Sequence, residues 1–133
     1  MTLAQSTILV VDDEPALALT FCILLRRLGA TVFSAANGAQ AMVLLQTQLF
    51  DLVLIDKLMP VMDGLTLLNT MHQQNFRVPS LFFVSGGEGE DPAVLDRLGV
   101  RATLTKPLHP TRLIDEITRA LQDIPQCEHP TAA

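Results

Sequence analysis

Residues 52–64 read LVLIDKLMPVMDG, and this stretch decides how the chain folds. Four consecutive apolar residues lead to Asp56, and Met59-Pro60 and Asp63-Gly64 follow as turn formers. A strand that is apolar at successive positions, not at alternate ones, is covered on both faces, as in a parallel sheet flanked by helices. An unpaired carboxylate in such surroundings normally gives up its charge. Asp56 therefore belongs at the strand's end, where rigid backbone fixes the side chain and its oxygens stay open to a partner.

The same pattern recurs outward from this segment. Strands are expected at TILVV (7–11), TVFSA (31–35), DLVLI (51–55), SLFFV (80–84) and ATLT (102–105). The first helix opens at Pro15, carries Leu17, Phe21, Leu24 and Leu28 on one face and stops at Gly29. Further helices are expected at 38–48, 63–74 and 91–98, the last ending at Gly99. A fifth starts near Pro110 and repeats Leu113, Ile117 and Leu121. The GGEGEDP stretch before the fourth helix reads as a loop. Five strand-helix units in strict alternation imply an α/β, doubly wound, five-stranded parallel sheet with right-handed crossovers and helices on both faces. Residues 1–122 form this domain; residues 123–133 lose the periodicity and read as a polar tail or the start of a linker.

Composition narrows the function. A chain of 133 residues, 49% hydrophobic and 17% charged, is one folded domain by size and not a disordered segment. Its net charge of −5 and the absence of any basic cluster argue against direct nucleic-acid binding. No apolar run approaches the roughly 18 residues of a membrane span. Cys22 and Cys127 make no disulfide framework and the N-terminus MTLAQS resembles no export signal, so the cytoplasm is the expected compartment.

The polar residues that interrupt the apolar strands share one location. Asp12 and Asp13 follow the first strand, Asp56 the third, Ser85 the fourth and Lys106 the fifth, all at carboxyl ends. In an open doubly wound sheet, ligands bind at that edge. Three carboxylates held together repel, so they take up protons or recruit a cation. Mg²⁺ suits the second course, since it accepts a few carboxylate oxygens and is often completed by phosphate. Asp56 can then attack a phosphorus centre to become an aspartyl phosphate, with a lysine and a hydroxyl holding the transferred oxygens.

ILVVDDEP, LVLIDKLMPVMDG, FFVSG and TKP, in this order and spacing, resemble the receiver domain of bacterial two-component response regulators, over residues 7 to about 122. The resemblance implies a flavodoxin-like (βα)5 fold, like that of CheY. Asp56 would accept a phosphoryl group from a histidine kinase or phosphotransfer protein. The protein would act as a phosphorylation-dependent switch, not an enzyme, catalysing only its own phosphoryl transfer and slow autodephosphorylation. Asp13 and Asp56 would ligate Mg²⁺ directly, with the Leu58 backbone carbonyl as third protein ligand and Asp12 acting through water. Ser85 would bond the phosphoryl group, Lys106 would be its ammonium partner, and Lys106–Pro107 would be cis. The switch would involve Ser85, Gly86, Gly87 and Thr103. Output to a downstream protein or output domain would leave through the fourth helix, fifth strand and fifth helix; a homodimer is among the assemblies this allows.

Two residues depart from the family pattern. Thr103 stands where receivers usually carry Tyr or Phe, so an aromatic switch is missing. Leu58 is apolar where faster-dephosphorylating relatives often have a polar side chain, which implies slow decay. Elsewhere the plain reading is favoured: His72, His109 and His129 are scattered, Asp63 caps the third helix, the methionines fill the core, and GGEGE lacks the context of a phosphate-binding loop. Two other classes stay open: a pseudo-receiver acting as a constitutive binding module, and a flavodoxin-like cofactor protein. The latter lacks any Trp or Tyr to stack on a flavin.

Overall fold

The computed structural model describes residues 2–59, 61–84 and 90–122. A short 3-10 turn, Leu3–Gln5, precedes ten elements. They are β1 (Thr7–Val11), α1 (Pro15–Arg27), β2 (Thr31–Ala35), α2 (Gly38–Thr47), β3 (Leu52–Asp56), α3 (Gly64–Gln73), β4 (Ser80–Val84), α4 (Pro92–Arg97), β5 (Val100–Thr105) and α5 (Pro110–Gln122). All strand pairs are parallel, in the order β2-β1-β3-β4-β5. This is the doubly wound, flavodoxin-like architecture expected from the strand-helix alternation. Strand order reverses between β1 and β3, so their carboxyl ends flank the crevice where such sheets bind ligands.

The side-chain period of two divides the core into two layers. On one face Ile8, Val10, Leu52, Leu54, Leu81, Phe83 and Leu104 pack against α1 and α5. On the other, Leu9, Val11, Val53, Ile55, Phe82 and Val84 meet α2, α3 and Leu95 of α4. Burial on both faces explains the unbroken apolar runs, since β3 and β4 are buried at every residue. In α5, Leu113, Ile117 and Leu121 face the sheet as their spacing requires.

Three boundaries or faces differ from the sequence reading. β3 is shifted by one residue, so Asp56 is its last member; Asp51 stays outside and its carboxylate accepts a hydrogen bond from the Thr7 N–H at 2.8 Å. β5 starts two residues earlier, because Gly99 at φ 86° turns the chain and lets Val100 pair with Ser80. The buried stripe of α1 is Ala18, Phe21, Cys22 and Leu25, while Leu17 and Leu24 lie at its margin and Leu28 is exposed. The buried stripe thus lies partly beside the expected row and shares Phe21 with it. Gly29, at φ 95°, ends the helix where expected.

Candidate functional site

Strand register builds the site. Val10 and Val11 sit beside Leu54 and Ile55, so one step further along the sheet brings Asp12 alongside Asp56. Carboxylate oxygens of Asp12, Asp13 and Asp56 lie within 4.8 Å of one another. From the end of β5, Lys106 reaches back over β4, its Nζ 3.0 Å from Asp56 Oδ2 and 3.9 Å from Asp12 Oδ2. The Lys106 backbone N–H is held by the Val84 carbonyl at 2.8 Å, and the Lys106–Pro107 bond is cis, as expected. Ser85, Gly86 and Gly87 lie outside the described residues.

Burial differs sharply among the three acids. Asp12 and Asp56 are 4% and 5% exposed, whereas Asp13 faces solvent. Asp12 Oδ1 accepts a hydrogen bond from the Glu14 N–H at 2.9 Å; Oδ2 is buried with no hydrogen-bond partner among the described residues. Desolvation raises the Asp12 pKa above its ordinary value. The Glu14 N–H and Lys106 work against that rise, and Asp56 and Asp13 add to it. A buried orphan oxygen beside two further carboxylates, one open to water, fits a hard, oxygen-seeking cation such as Mg²⁺.

The loop after Asp56 holds two features the sequence did not mark. Val61 adopts φ 69°, a left-handed conformation that is an outlier for a β-branched residue and costs about 1–3 kcal/mol. Gly64, expected among the turn formers, has no positive φ and is required instead by its lack of a side chain. A Cβ there would lie 2.5 Å from the Asp56 carbonyl oxygen and 2.9 Å from Lys57 Cα, so only glycine lets α3 start this close to the end of β3. Asp63 caps α3 as expected, accepting from the Thr66 N–H at 2.9 Å, and that bond lowers its pKa. Lys57 pairs with Glu90 at 3.0 Å, tying the β3 end to the segment before α4. No local pattern joins residues so far apart, so this pair was not foreseen.

The remaining candidates lie elsewhere. Thr103 is exposed on β5, and Leu58 is 57% exposed next to the site. His72 Nδ1 contacts Arg77 at 2.6 Å and His109 Nδ1 accepts from the Thr111 N–H, and neither belongs to the acidic cluster. Cys22 is a buried free thiol. Cys127 and His129 lie outside the described residues. Glu116, buried in α5 between Arg112 and Arg119, is a structural ion pair that the helical pattern had hidden. Among the described residues no helix is long and apolar enough to cross a membrane.

Fold and site together define a flavodoxin-like domain with a lysine-bridged acidic cluster at its topological switch point. The chain belongs to the response regulator receiver domain family, whose model matches residues 8–118. It is 36% identical over 115 residues to the "Uncharacterized 14.6 kDa protein in sodA1 3'region" of Leptolyngbya boryana, covering 85% of this chain and 88% of that protein. It is 32% identical over 103 residues to the alkaline phosphatase synthesis transcriptional regulatory protein PhoP of Bacillus subtilis, covering 77% of this chain but only 43% of PhoP. The chain thus spans less than half of that regulator's length. Among solved structures, a CheY-like receiver domain protein from Methanospirillum hungatei superimposes with a TM-score of 0.81 at 25% identity, covering 89% of this chain and 94% of that one. Vibrio cholerae chemotaxis protein CheY4 gives 0.78 at 27% identity, covering 86% and 98%.

Proposed function

We propose that this receiver domain is a phosphoacceptor switch in which Asp56 takes a phosphoryl group from a histidine kinase or phosphotransfer protein. The observation that carries this reading is the buried Asp56 at the end of β3, 3.0 Å from Lys106 and within 4.8 Å of Asp12 and Asp13. An Asp56 oxygen attacks the donor's phosphorus, the bond from phosphorus to the donor's nitrogen breaks, and an acyl phosphate forms. Asp13, Asp56 and the Leu58 carbonyl would hold Mg²⁺, with Asp12 acting through water. When bound, the ion supplies charge neutralisation for the incoming phosphoryl oxygens. Lys106 exchanges its contact with Asp56 for one with the phosphoryl group, and the Ser85 hydroxyl accompanies it. Residues 1–122 are the switch. Its output partner, a downstream protein or output domain, engages the α4, β5 and α5 face, and the cytoplasm is the compartment where kinase and acceptor meet.

The test is intact-protein mass after incubation with acetyl phosphate and Mg²⁺. One added phosphoryl group is expected in the wild type and none in Asp56→Asn or with the metal chelated. Equal labelling of Asp56→Asn overturns the assignment.

A further inference from the structure

A cavity of about 380 Å³ lies between α4 and β5, walled by Phe82, Val84, Leu95, Val100, Ala102 and Thr103. Its floor is apolar, since Phe82, Val84, Leu95 and Val100 are all buried. Thr103 contributes only a short side chain to its wall. Among the described residues β5 is also the edge of the sheet and pairs as a strand with β4 alone. Edge strands with free outer backbone groups are templates for an added strand. Alternate side chains of a strand added there would point to the α4 side, where the cavity lies.

Charge at the rim restricts what can enter. Glu90 is committed to Lys57, and Arg101 is engaged in an interaction of its own. Asp96, exposed on the rim, has no side-chain partner among the described residues, and the chain carries net charge −5. A cation beside the inserted side chain would meet Asp96, while acidic segments would be repelled. The cavity is at the lower end of the roughly 300–1,000 Å³ of small-molecule sites, with room to admit an aromatic side chain. Aromatic residues are the side chains that most often anchor an interface in such pockets.

We infer that the open edge of β5 and its adjoining cavity form the docking site for an extended segment of a partner protein that carries an aromatic residue flanked by Lys or Arg. This rests on the output-face reading above and names the partner's chemistry. The partner's ring occupies the cavity, its backbone pairs with β5 and its cation faces Asp96.

The probe is the peptide acetyl-Thr-Lys-Trp-Lys-Thr-amide, titrated into the unphosphorylated full chain. The protein has no Trp or Tyr, so indole emission reports binding without background. A blue-shifted emission and saturable methyl shifts at Val84, Leu95, Val100 and Ala102 are expected. A peptide with Ala for Trp should bind about tenfold more weakly. N-methylating its backbone, which removes donors to β5, should abolish binding. Asp96→Lys should weaken the lysine peptide about threefold and favour the corresponding glutamate peptide, a reversal that misfolding cannot produce. Equal binding of the Trp and Ala peptides overturns the inference, as does an unreversed preference in Asp96→Lys. The same methyl shifts on raising protein concentration without peptide would overturn it in favour of a second copy of the chain. The protein in this experiment sees no phosphoryl donor, so failure here and failure of Asp56 labelling are separate results.

Discussion

Replacing Asp12 by Asn should stabilise the metal-free protein and destabilise it relative to wild type once Mg²⁺ is added. Asp12 is attracted to Lys106 at 3.9 Å, worth about 4 kcal/mol at an effective dielectric near 20. The Asp56 carboxylate lies within 4.8 Å and repels it by roughly 3.5 kcal/mol on the same scale. These two nearly offset, which leaves the cost of burying a charge whose Oδ2 has no hydrogen bond. Asn keeps an oxygen for the Glu14 N–H and removes the charge, so a gain on the order of 1 kcal/mol is expected at neutral pH. The sign follows from the raised Asp12 pKa. Between the ordinary value of 3.8 and the raised one, the native state holds more protons than the unfolded chain. The stability Asp12 contributes is full below pH 3.8 and lost as pH rises through the raised value, so the Asn advantage should vanish in acid. Mg²⁺ at a hundred times its dissociation constant adds about 2.7 kcal/mol to the wild type, and less to a variant that has lost one carboxylate. Urea unfolding followed by far-ultraviolet circular dichroism, with chelator and with Mg²⁺, reads both effects in a chain without Trp or Tyr. A wild type more stable than Asp12→Asn in chelator at neutral pH, or a difference indifferent to Mg²⁺, would refute this reasoning.

Two further outcomes are expected. Leu58 is exposed beside the site and has no side-chain donor or acceptor to orient a water, so Leu58→Asn should shorten the half-life of the phosphorylated purified protein; an equal or longer half-life would exclude water positioning at this residue as the limit. Gly64→Ala should cost about 1–3 kcal/mol and slow acetyl phosphate labelling, because the added Cβ pushes on the backbone of Asp56 and Lys57. Unchanged stability and labelling would show that the loop yields freely.

Much of this was legible before the fold was known, because the decisive features are local. Unbroken apolar runs in TILVV, LVLI and SLFFV signal strands buried on both faces, and polar residues at their ends mark a single rim of the sheet. Pro15, Gly29 and Asp63 punctuate helices by their own backbone chemistry. The shift of β3 by one residue was not legible, because what excludes Asp51 is a hydrogen bond to Thr7, far away in the chain. Nor was the buried face of α1, where Ala18 and Cys22 join Phe21 and Leu25 while Leu17 and Leu24 stay at the margin. The pairing of Lys57 with Glu90 and the orphan oxygen of Asp12 depend on three-dimensional placement that no spacing encodes. The strain at Val61 has no sequence signature either, since glycine is the usual occupant of that conformation.

The most direct measurement is chemical trapping of the labelled residue. Borohydride reduces an aspartyl phosphate to homoserine, which peptide mapping locates. After treatment with acetyl phosphate and Mg²⁺, homoserine is predicted at position 56 and nowhere else in the chain. Homoserine at Asp12 or Asp13, or a phosphoryl group that survives reduction on a hydroxyl residue, would contradict the assignment of Asp56 as the acceptor.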